Sequence, residues 1–192
     1  TTEDGEKKKK DGEEEEPEQQ LDLKAAKDNL FNFFEKEAGE YQQSWEFQAQ
    51  PEIRYNENNL ISLALNYYWY TGGAHPNHAS NYYTYDLKEH KILELNDLFR
   101  GKYKMVLSKY IADALRTLQG AAPNTPLSEL GSQETVKPNE NFYITDSGIT
   151  FWYNPYEIAP YVMGDSEVYV PFNNISAIIK PDGPLGQFLK TK

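Results

Sequence analysis

Two histidines, His75 and His78, lie three residues apart in the segment His-Pro-Asn-His. Imidazoles bind metals well, and Asp86 or Glu89 stands close enough in sequence to add a carboxylate ligand. Pro76 opposes a helix at this point, and ligands at this spacing in a loop need not face one another. Because the spacing specifies no third ligand, we predict hydrogen-bonding and turn-shaping histidines, without a metal or another cofactor.

Three carboxylates, Glu157, Asp165 and Glu167, occur in an aromatic stretch that contains Trp152 and Tyr161. Glycosidases use paired carboxylates beside aromatic rings, so a carbohydrate-active enzyme using Glu157 and Asp165 is one hypothesis. In a chain with 30 acidic residues, surface charge is the commoner explanation of such a group. The sequence has no nucleophile elbow, phosphate-binding glycine loop or zinc-binding helix motif, and we predict no catalytic residue.

Tyrosine is concentrated in residues 66–87, in two blocks separated by a loop that holds Gly72, Gly73 and Pro76. A tyrosine ring combines a large apolar face with a hydroxyl, so it suits a surface that is half packed and half wet. In one interpretation the rings form cross-strand pairs, each contributing about 0.2–1 kcal/mol. In the other, Tyr68, Tyr70 or Tyr82 anchors a partner. The pattern alone favours neither.

Hydrophobic periodicity predicts an α+β fold, in which an antiparallel sheet with hairpins packs against two helices. Pro51 interrupts the first strand, and residues 120–140 and 154–166 form long loops, the former with one helical turn at 127–130. Residues 181–192 are expected to be a tail. The predicted helices cover residues 21–38 and 102–118, and the predicted strands cover residues 45–55, 60–70, 81–87, 92–95, 141–145, 149–153 and 167–172.

Charge and composition divide the 192-residue chain into a tail and a domain. Residues 1–20 have no hydrophobic side chain and hold nine acids and four lysines, a net charge of −5 that leaves −6 for the remainder. Such a segment cannot bury enough surface to fold, so we predict a tether over 1–20 and a single domain over 21–192. The acidic domain would repel nucleic acid and favour a basic protein partner. No apolar run is long enough to span a membrane.

Several ordered motifs resemble one bacterial family. They are YTGGAHPNHASNYYTYDL, KILELNDLF and NFYITDSGITFWYNPYEIAPYVMGDSEVYVP. Together they are similar to the domain of unknown function 3298, a family that includes the extracytoplasmic domain of RsiV-type anti-sigma factors. The resemblance covers about residues 62–172, and the region before it resembles the companion that commonly lies upstream. Glu89 and His90 depart from the usual Thr-Gly turn of this family.

The resemblance implies a non-enzymatic module of the cell envelope, periplasmic or surface-exposed, that binds or senses lysozyme-like cell-wall hydrolases. In lysozyme-binding members the loops of this domain face the hydrolase cleft. We therefore predict a partner-binding surface built from two loops. Its predicted residues are Thr71, Gly72, Gly73, Ala74, His75, Tyr156, Pro160 and Tyr161.

Two further expectations concern the ligand and the location. Trp69, Trp152 and exposed tyrosines could instead stack on sugar rings, which would make the chain a module that binds peptidoglycan or another glycan, or an accessory domain of a carbohydrate-active enzyme. The acidic tether resembles the spacer that follows the lipidated cysteine of outer-membrane lipoproteins. That likeness implies membrane attachment only through a lipid anchor outside this sequence.

Overall fold

The computed structural model describes residues 45–190 together with Asp28, Asn32, Glu35 and Lys36. These four residues are helical and lie within the predicted helix 21–38, whose other residues fall outside the described ones, as does the predicted tether 1–20. The chain divides into two compact units, Thr1–Gln43 and Ser44–Lys192. A single domain over 21–192 stays a prediction.

The first sheet has four antiparallel strands in sequential order: β1 (Glu46–Glu57), β2 (Leu60–Tyr70), β3 (Asn77–Asp86) and the short β4 (Lys91–Ile92). Asn58 and Asn59 form the two-residue turn between β1 and β2 with φ angles of 54° and 61°. Asparagine tolerates this left-handed region, and two such residues give the turn whose twist matches a hairpin. The two asparagines therefore have the backbone preference that this tight turn requires.

Strand β1 continues through Pro51, contrary to the predicted interruption. Pro51 pairs with Leu65, and β1 is the first strand in the sheet order, where a missing backbone N–H is tolerated. The register then shifts between Ile53 and Tyr55. This irregularity falls at Arg54, which reaches toward Tyr143 in the second sheet and donates to its hydroxyl at 3.1 Å.

Two helices follow the first sheet, α1 (Leu95–Leu98) and α2 (Tyr103–Leu118). A capping box between Glu94 and Asp97 begins α1. Helix α2 buries one face at four-residue spacing, consisting of Tyr103, Leu107, Ile111 and Leu115. Within the described residues, no helix combines the length and hydrophobicity needed to cross a bilayer.

The second sheet has three antiparallel strands, β5 (Phe142–Ile144), β6 (Gly148–Tyr153) and β7 (Ser166–Pro171), in that order. Helix α2 packs against β7, and the main core lies among α2, this sheet and the C-terminal segments. A short helix, α3 (Phe172–Ile175), follows β7 directly. The α+β fold class is thus confirmed, with two antiparallel sheets in place of the single sheet that we predicted.

The structure corrects three predicted segments. Strand β3 begins at Asn77 instead of residue 81, so His78 lies on a strand and not in the preceding loop. The strand predicted at 92–95 is only Lys91–Ile92, because Leu95 begins α1. The C-terminal segment is not a tail: Pro184–Lys190 is a 3-10 helix whose Leu185 is fully buried and whose Phe188 stacks on Phe172 at 5.2 Å.

Buried hydroxyls connect the first sheet to β5. The Ile144 N–H donates to Ser62 Oγ at 3.2 Å, the Ser62 and Thr84 hydroxyls lie 2.8 Å apart, and Thr84 Oγ1 donates to the Phe142 carbonyl at 3.5 Å. Both hydroxyl residues are almost completely buried. Since β5 pairs with β6 on its other edge, these hydroxyls satisfy backbone groups that would otherwise be buried without a partner.

Replacing Ser62 by alanine tests this connection. The substitution leaves the Ile144 N–H buried and unpaired, so we expect the free energy of unfolding to fall by about 1–3 kcal/mol. Urea denaturation followed by circular dichroism measures the change. The matched control is Ser128→Ala at an exposed position, for which we expect a change within about 0.5 kcal/mol. Equal effects from the two variants would contradict a role for the buried hydroxyls.

Candidate functional site

Two loops, one from each sheet, lie against each other. Loop A (residues 71–76) joins β2 to β3, and loop B (residues 154–165) joins β6 to β7. The ring of Tyr161 in loop B stacks on the ring of His75 in loop A, with centroids 4.3 Å apart. Its hydroxyl donates to the Pro76 carbonyl at 2.9 Å. We call the outer face of these two loops the paired-loop surface.

Asparagine amides attach the start of loop B to β3. Asn154 Oδ1 accepts from the Ser80 N–H at 2.7 Å, and its Nδ2 donates to the Ser80 carbonyl at 3.3 Å. Asn141 Oδ1 accepts from the Tyr82 N–H at 2.7 Å, and its Nδ2 also donates to Ser80. Each amide presents a donor and an acceptor together, as the backbone of a neighbouring strand would. The two residues therefore complete hydrogen bonding along the outer edge of β3.

His78 and Asp165 attach the end of loop B to the same strand. His78 Nε2 lies 3.2 Å from Asp165 Oδ2. The other carboxylate oxygen, Oδ1, is buried and has no hydrogen-bond partner. Burial raises the pKa of Asp165 above its ordinary value, while the nearby His78 opposes the shift. Loop B is thus held at its first residue, at Tyr161 and at its last residue.

Loop A is shaped by glycine conformation and by short hydrogen bonds. Gly72 and Gly73 have φ angles of 92° and 104°, a region that other residues rarely adopt. A Cβ atom at Gly73 would meet nothing within 4 Å. Glycine is therefore favoured there by the backbone conformation and not by close contact with a neighbouring atom. The Tyr70 hydroxyl donates to the Gly73 carbonyl, and His75 Nδ1 lies 2.8 Å from the Pro76 carbonyl. A carbonyl only accepts, so Nδ1 carries the proton in that bond.

Loop B is anchored from within by Ile158, which is buried in the main core and whose carbonyl accepts from the Gln133 N–H at 2.7 Å. The segment Tyr161–Met163 forms a 3-10 turn, with bonds from Met163 N to Pro160 O and from Gly164 N to Tyr161 O. Tyr156 has a φ of 72°, unusual for an aromatic residue, although its side chain is 65% exposed. Such strain, held by surrounding structure, is commoner at functional sites.

The structure brings the eight predicted partner-binding residues into these two loops. Tyr161 and Gly72 are partly buried, and the other six are exposed. The Tyr156 ring lies 5.6 Å from the Tyr161 ring, which extends the aromatic contact across loop B. Binding by these residues stays a prediction. The residues concerned are Thr71, Gly72, Gly73, Ala74, His75, Tyr156, Pro160 and Tyr161.

The three carboxylates considered for glycosidase chemistry have separate structural contacts. Glu157 accepts hydrogen bonds from Asn154 and Asn139, both at 3.2 Å. Asp165 faces His78, and Glu167 accepts from the Tyr143 hydroxyl and from Arg54. Each carboxylate therefore helps to hold a loop or strand in place.

The tyrosine blocks serve both packing and the surface. Tyr82 is 4% exposed and lies between the rings of Tyr143 and Trp152, at centroid distances of 5.1 and 5.2 Å. Burial raises the pKa of Tyr82 to about 12. Tyr82 is therefore part of the core between the sheets, and the prediction that it anchors a partner is wrong. Trp152 packs against the same cluster, which leaves it only partly available to a sugar ring.

No local pattern in the sequence marks three residues on which the site depends. Asn141 and Asn154 resemble ordinary loop asparagines, and Asp165 resembles an ordinary surface acid. Their roles follow from the contact between β3 and loop B, which no local pattern encodes. Within the described residues, no group of three potential metal-binding side chains comes together, and His75 and His78 take the contacts given above.

Comparisons with known proteins divide the chain into two regions. Residues 96–173 match a family described as protein of unknown function (DUF3298). Residues 96–173 belong to the DUF3298 family. Residues 3–78 match a second family, described as deacetylase PdaC. The DUF3298 region begins at residue 96 and not near 62, so loop A lies in the upstream region and loop B in the DUF3298 region. The paired-loop surface is therefore built jointly by both.

Three curated relatives match parts of the chain. The chain is 22% identical to the peptidoglycan-N-acetylmuramic acid deacetylase PdaC of Bacillus subtilis, over 79% of this chain and 35% of that protein. It is 31% identical to the anti-sigma-V factor RsiV of the same organism, over 52% of this chain and 37% of that protein. It is 23% identical to the immunogenic protein MPT64 of Mycobacterium tuberculosis, over 62% of this chain and 51% of that protein. The chain thus spans about a third to a half of the length of these relatives.

Two solved structures share the fold. A DUF3298 family member from Bacteroides fragilis superimposes with a TM-score of 0.77 at 26% identity, covering 88% of this chain and 72% of that one. A DUF3298 family protein from Pseudomonas aeruginosa gives a TM-score of 0.66 at 22% identity, covering 83% and 70%. Both matches support the α+β fold, and the first is also consistent with the DUF3298 assignment.

The contact between His78 and Asp165 predicts how this carboxyl group titrates. Because burial outweighs the effect of His78, we expect a pKa above the ordinary 3.8 in a carbon-detected NMR titration. Replacing His78 by alanine should raise that pKa further, since the substitution removes a charge that favours the carboxylate. A lower pKa in the His78→Ala variant would contradict the pairing.

The same shift sets the sign of a pH effect on stability. A raised pKa means that the folded chain holds the proton more tightly than the unfolded chain does, so ionising Asp165 lowers the free energy of unfolding. We expect wild-type stability to fall relative to that of Asp165→Asn as the pH rises above 3.8. Urea denaturation at several pH values measures this difference, and a difference that does not change with pH would contradict it.

Proposed function

We propose that the paired-loop surface binds a cationic protein outside the cytoplasm, of the lysozyme-like hydrolase class, and that the chain performs no catalysis. The observation that carries the proposal is the contact of His75 and Pro76 with Tyr161, which joins two loops into one surface. The similarity to an anti-sigma-V factor supports a sensing or binding role, and the similarity to a peptidoglycan deacetylase supports a location in the cell envelope.

Charge supports a cationic partner. Residues 55–87 and 138–179, which include both loops, contain no lysine or arginine but hold seven acids. Only His75 and His78 can add positive charge to these stretches. An anionic surface attracts a cationic protein at low ionic strength and raises its association rate. A partner with a basic surface is therefore favoured over an acidic one or a nucleic acid.

Hydrogen bonds that hold loops A and B in one conformation also support a binding role. Loop B is held at three points, and an internal hydrogen bond closes loop A. A surface that is already ordered loses less conformational entropy on association. The exposed Tyr156, kept in a rarely adopted backbone conformation, is oriented by the loop and not by a partner.

The absence of catalysis is part of the proposal. Glu157, Asp165 and Glu167 act as structural acceptors, a role that differs from that of a free acid–base pair. The deacetylase relative is about three times as long as the portion matched here, and its activity is that of the whole protein. The proposal would fail if the purified chain turned over cell-wall fragments and Glu157→Gln abolished that turnover with folding intact.

Isothermal titration calorimetry with a purified c-type lysozyme tests binding. We expect a saturable heat signal at protein concentrations of about 100 μM or below, with affinity falling as salt rises from about 0.05 to 0.5 M. Ala74→Arg places a bulky cation on exposed loop A and should weaken binding by about tenfold or more. The matched control is Ala122→Arg, exposed in the loop after α2, which should bind like the wild type.

Three results would count against this proposal. An absence of heat with the wild type at about 100 μM would overturn the lysozyme-like partner. Equal weakening by Ala74→Arg and Ala122→Arg would show that net charge, and not the paired-loop surface, governs the interaction. Retention on insoluble peptidoglycan without binding to lysozyme would favour the glycan-binding alternative.

A further inference from the structure

Tyr161 is turned inward by its contacts. Its hydroxyl donates to the Pro76 carbonyl. Its ring lies near the rings of His75, His78 and Tyr156, at centroid distances of 4.3, 6.0 and 5.6 Å. The side chain is partly buried. A residue whose polar group and ring are both engaged inside the protein can hold a loop in place, but it has little free surface to insert into a partner.

The next two residues, Val162 and Met163, are exposed to solvent. Val162 is 87% exposed, the largest exposed fraction among the exposed large hydrophobic residues of the described chain, and Met163 is 47% exposed. They are part of the hydrogen-bonded 3-10 turn Tyr161–Met163, and Gly164 follows with a φ of 70°. The turn therefore presents an aliphatic tip on a fixed backbone. A single exposed valine needs no explanation, but Tyr156, Val162 and Met163 expose large apolar surface within one loop.

The surroundings of this tip restrict the partner. An open groove lined by Gln133, Tyr156, Ala159 and Pro160 runs along the same loop. The neighbouring charged groups on loop B are Glu157 and Asp165, and no lysine or arginine occurs between residues 138 and 179. An apolar tip beside the exposed Glu157 complements an apolar hollow bordered by cationic side chains.

We propose that Val162 and Met163 are the residues that enter the partner, while Tyr161 positions them from behind. The partner surface is an apolar hollow with arginine or lysine at its border, and this inference rests on the proposed function. It assigns contact to Val162 and Met163 and positioning to Tyr161, whereas the sequence predicted Pro160 and Tyr161 among the contact residues.

Val162→Asp separates apolar contact from charge attraction. The variant adds a negative charge to a surface that faces a cationic partner, so charge attraction alone would strengthen binding. Insertion of the side chain predicts a loss of about tenfold or more in affinity for lysozyme, because a desolvated carboxylate replaces an apolar anchor. The control is Met105→Asp, which makes the same charge change at a residue that is 67% exposed in the first turn of α2.

The measurements are calorimetric affinity and melting temperature for the wild type and both variants. A tenfold loss in Val162→Asp with unchanged melting temperature and normal binding by Met105→Asp supports the assignment. Unchanged or tighter binding by Val162→Asp overturns it and leaves the proposed function standing. Lack of binding by the wild type overturns both. If Val162→Asp lowers the melting temperature, Val162→Ser is measured instead, with Met105→Ser as its control and the same expected direction.

Tyr161→Phe tests the positioning role. It keeps the ring stack and removes only the hydroxyl bond to Pro76. Amide exchange in loop B should become faster, and affinity should fall less than in Val162→Asp. A larger loss of affinity in Tyr161→Phe, without faster exchange, would show that the Tyr161 hydroxyl contacts the partner directly and would overturn the division of roles.

Discussion

The outer edge of β3 sets the main constraint on this structure. Over most of its length β3 has a strand neighbour on one side only, so backbone groups of Ser80, Tyr82 and Thr84 need partners on the other side. Asn141 and Asn154 supply them for Ser80 and Tyr82, and the Leu93 N–H donates to Thr84. Buried donors and acceptors cannot be left unpaired without a large loss of stability. Satisfying this edge therefore fixes the second sheet against the first.

That constraint also creates the candidate site. Asn154 is the first residue of loop B, and it bonds to β3 four residues after loop A ends. The two loops are consequently held side by side, and the Tyr161–His75 stack forms between them. Because the regions matched to the two families contribute one loop each, neither region alone contains the complete surface. A structural unit that covers both is needed for the proposed function.

The distribution of polar groups favours binding over catalysis. The carboxylates of the glycosidase hypothesis hold loops and strands in place, and the aromatic rings near them pack between sheets or between loops. Apart from His75, the exposed residues of the two loops are small, apolar or anionic. Such a combination supports recognition of a cationic protein, where a few anchoring residues provide affinity and charge provides steering and specificity.

Local sequence patterns are enough to specify the α+β class, the bounds of β2 and nearly those of α2, and the Asn58–Asn59 turn, because each depends on local periodicity or on a residue's own backbone preference. The family motifs also indicated two loops that lie against each other in the structure. Tertiary structure decided that β1 passes through Pro51, that Tyr82 is buried, that two sheets form, and that Tyr161 faces inward beside an exposed Val162. These features depend on contacts between residues far apart in the chain, such as Ser80 with Asn154, which local patterns do not encode.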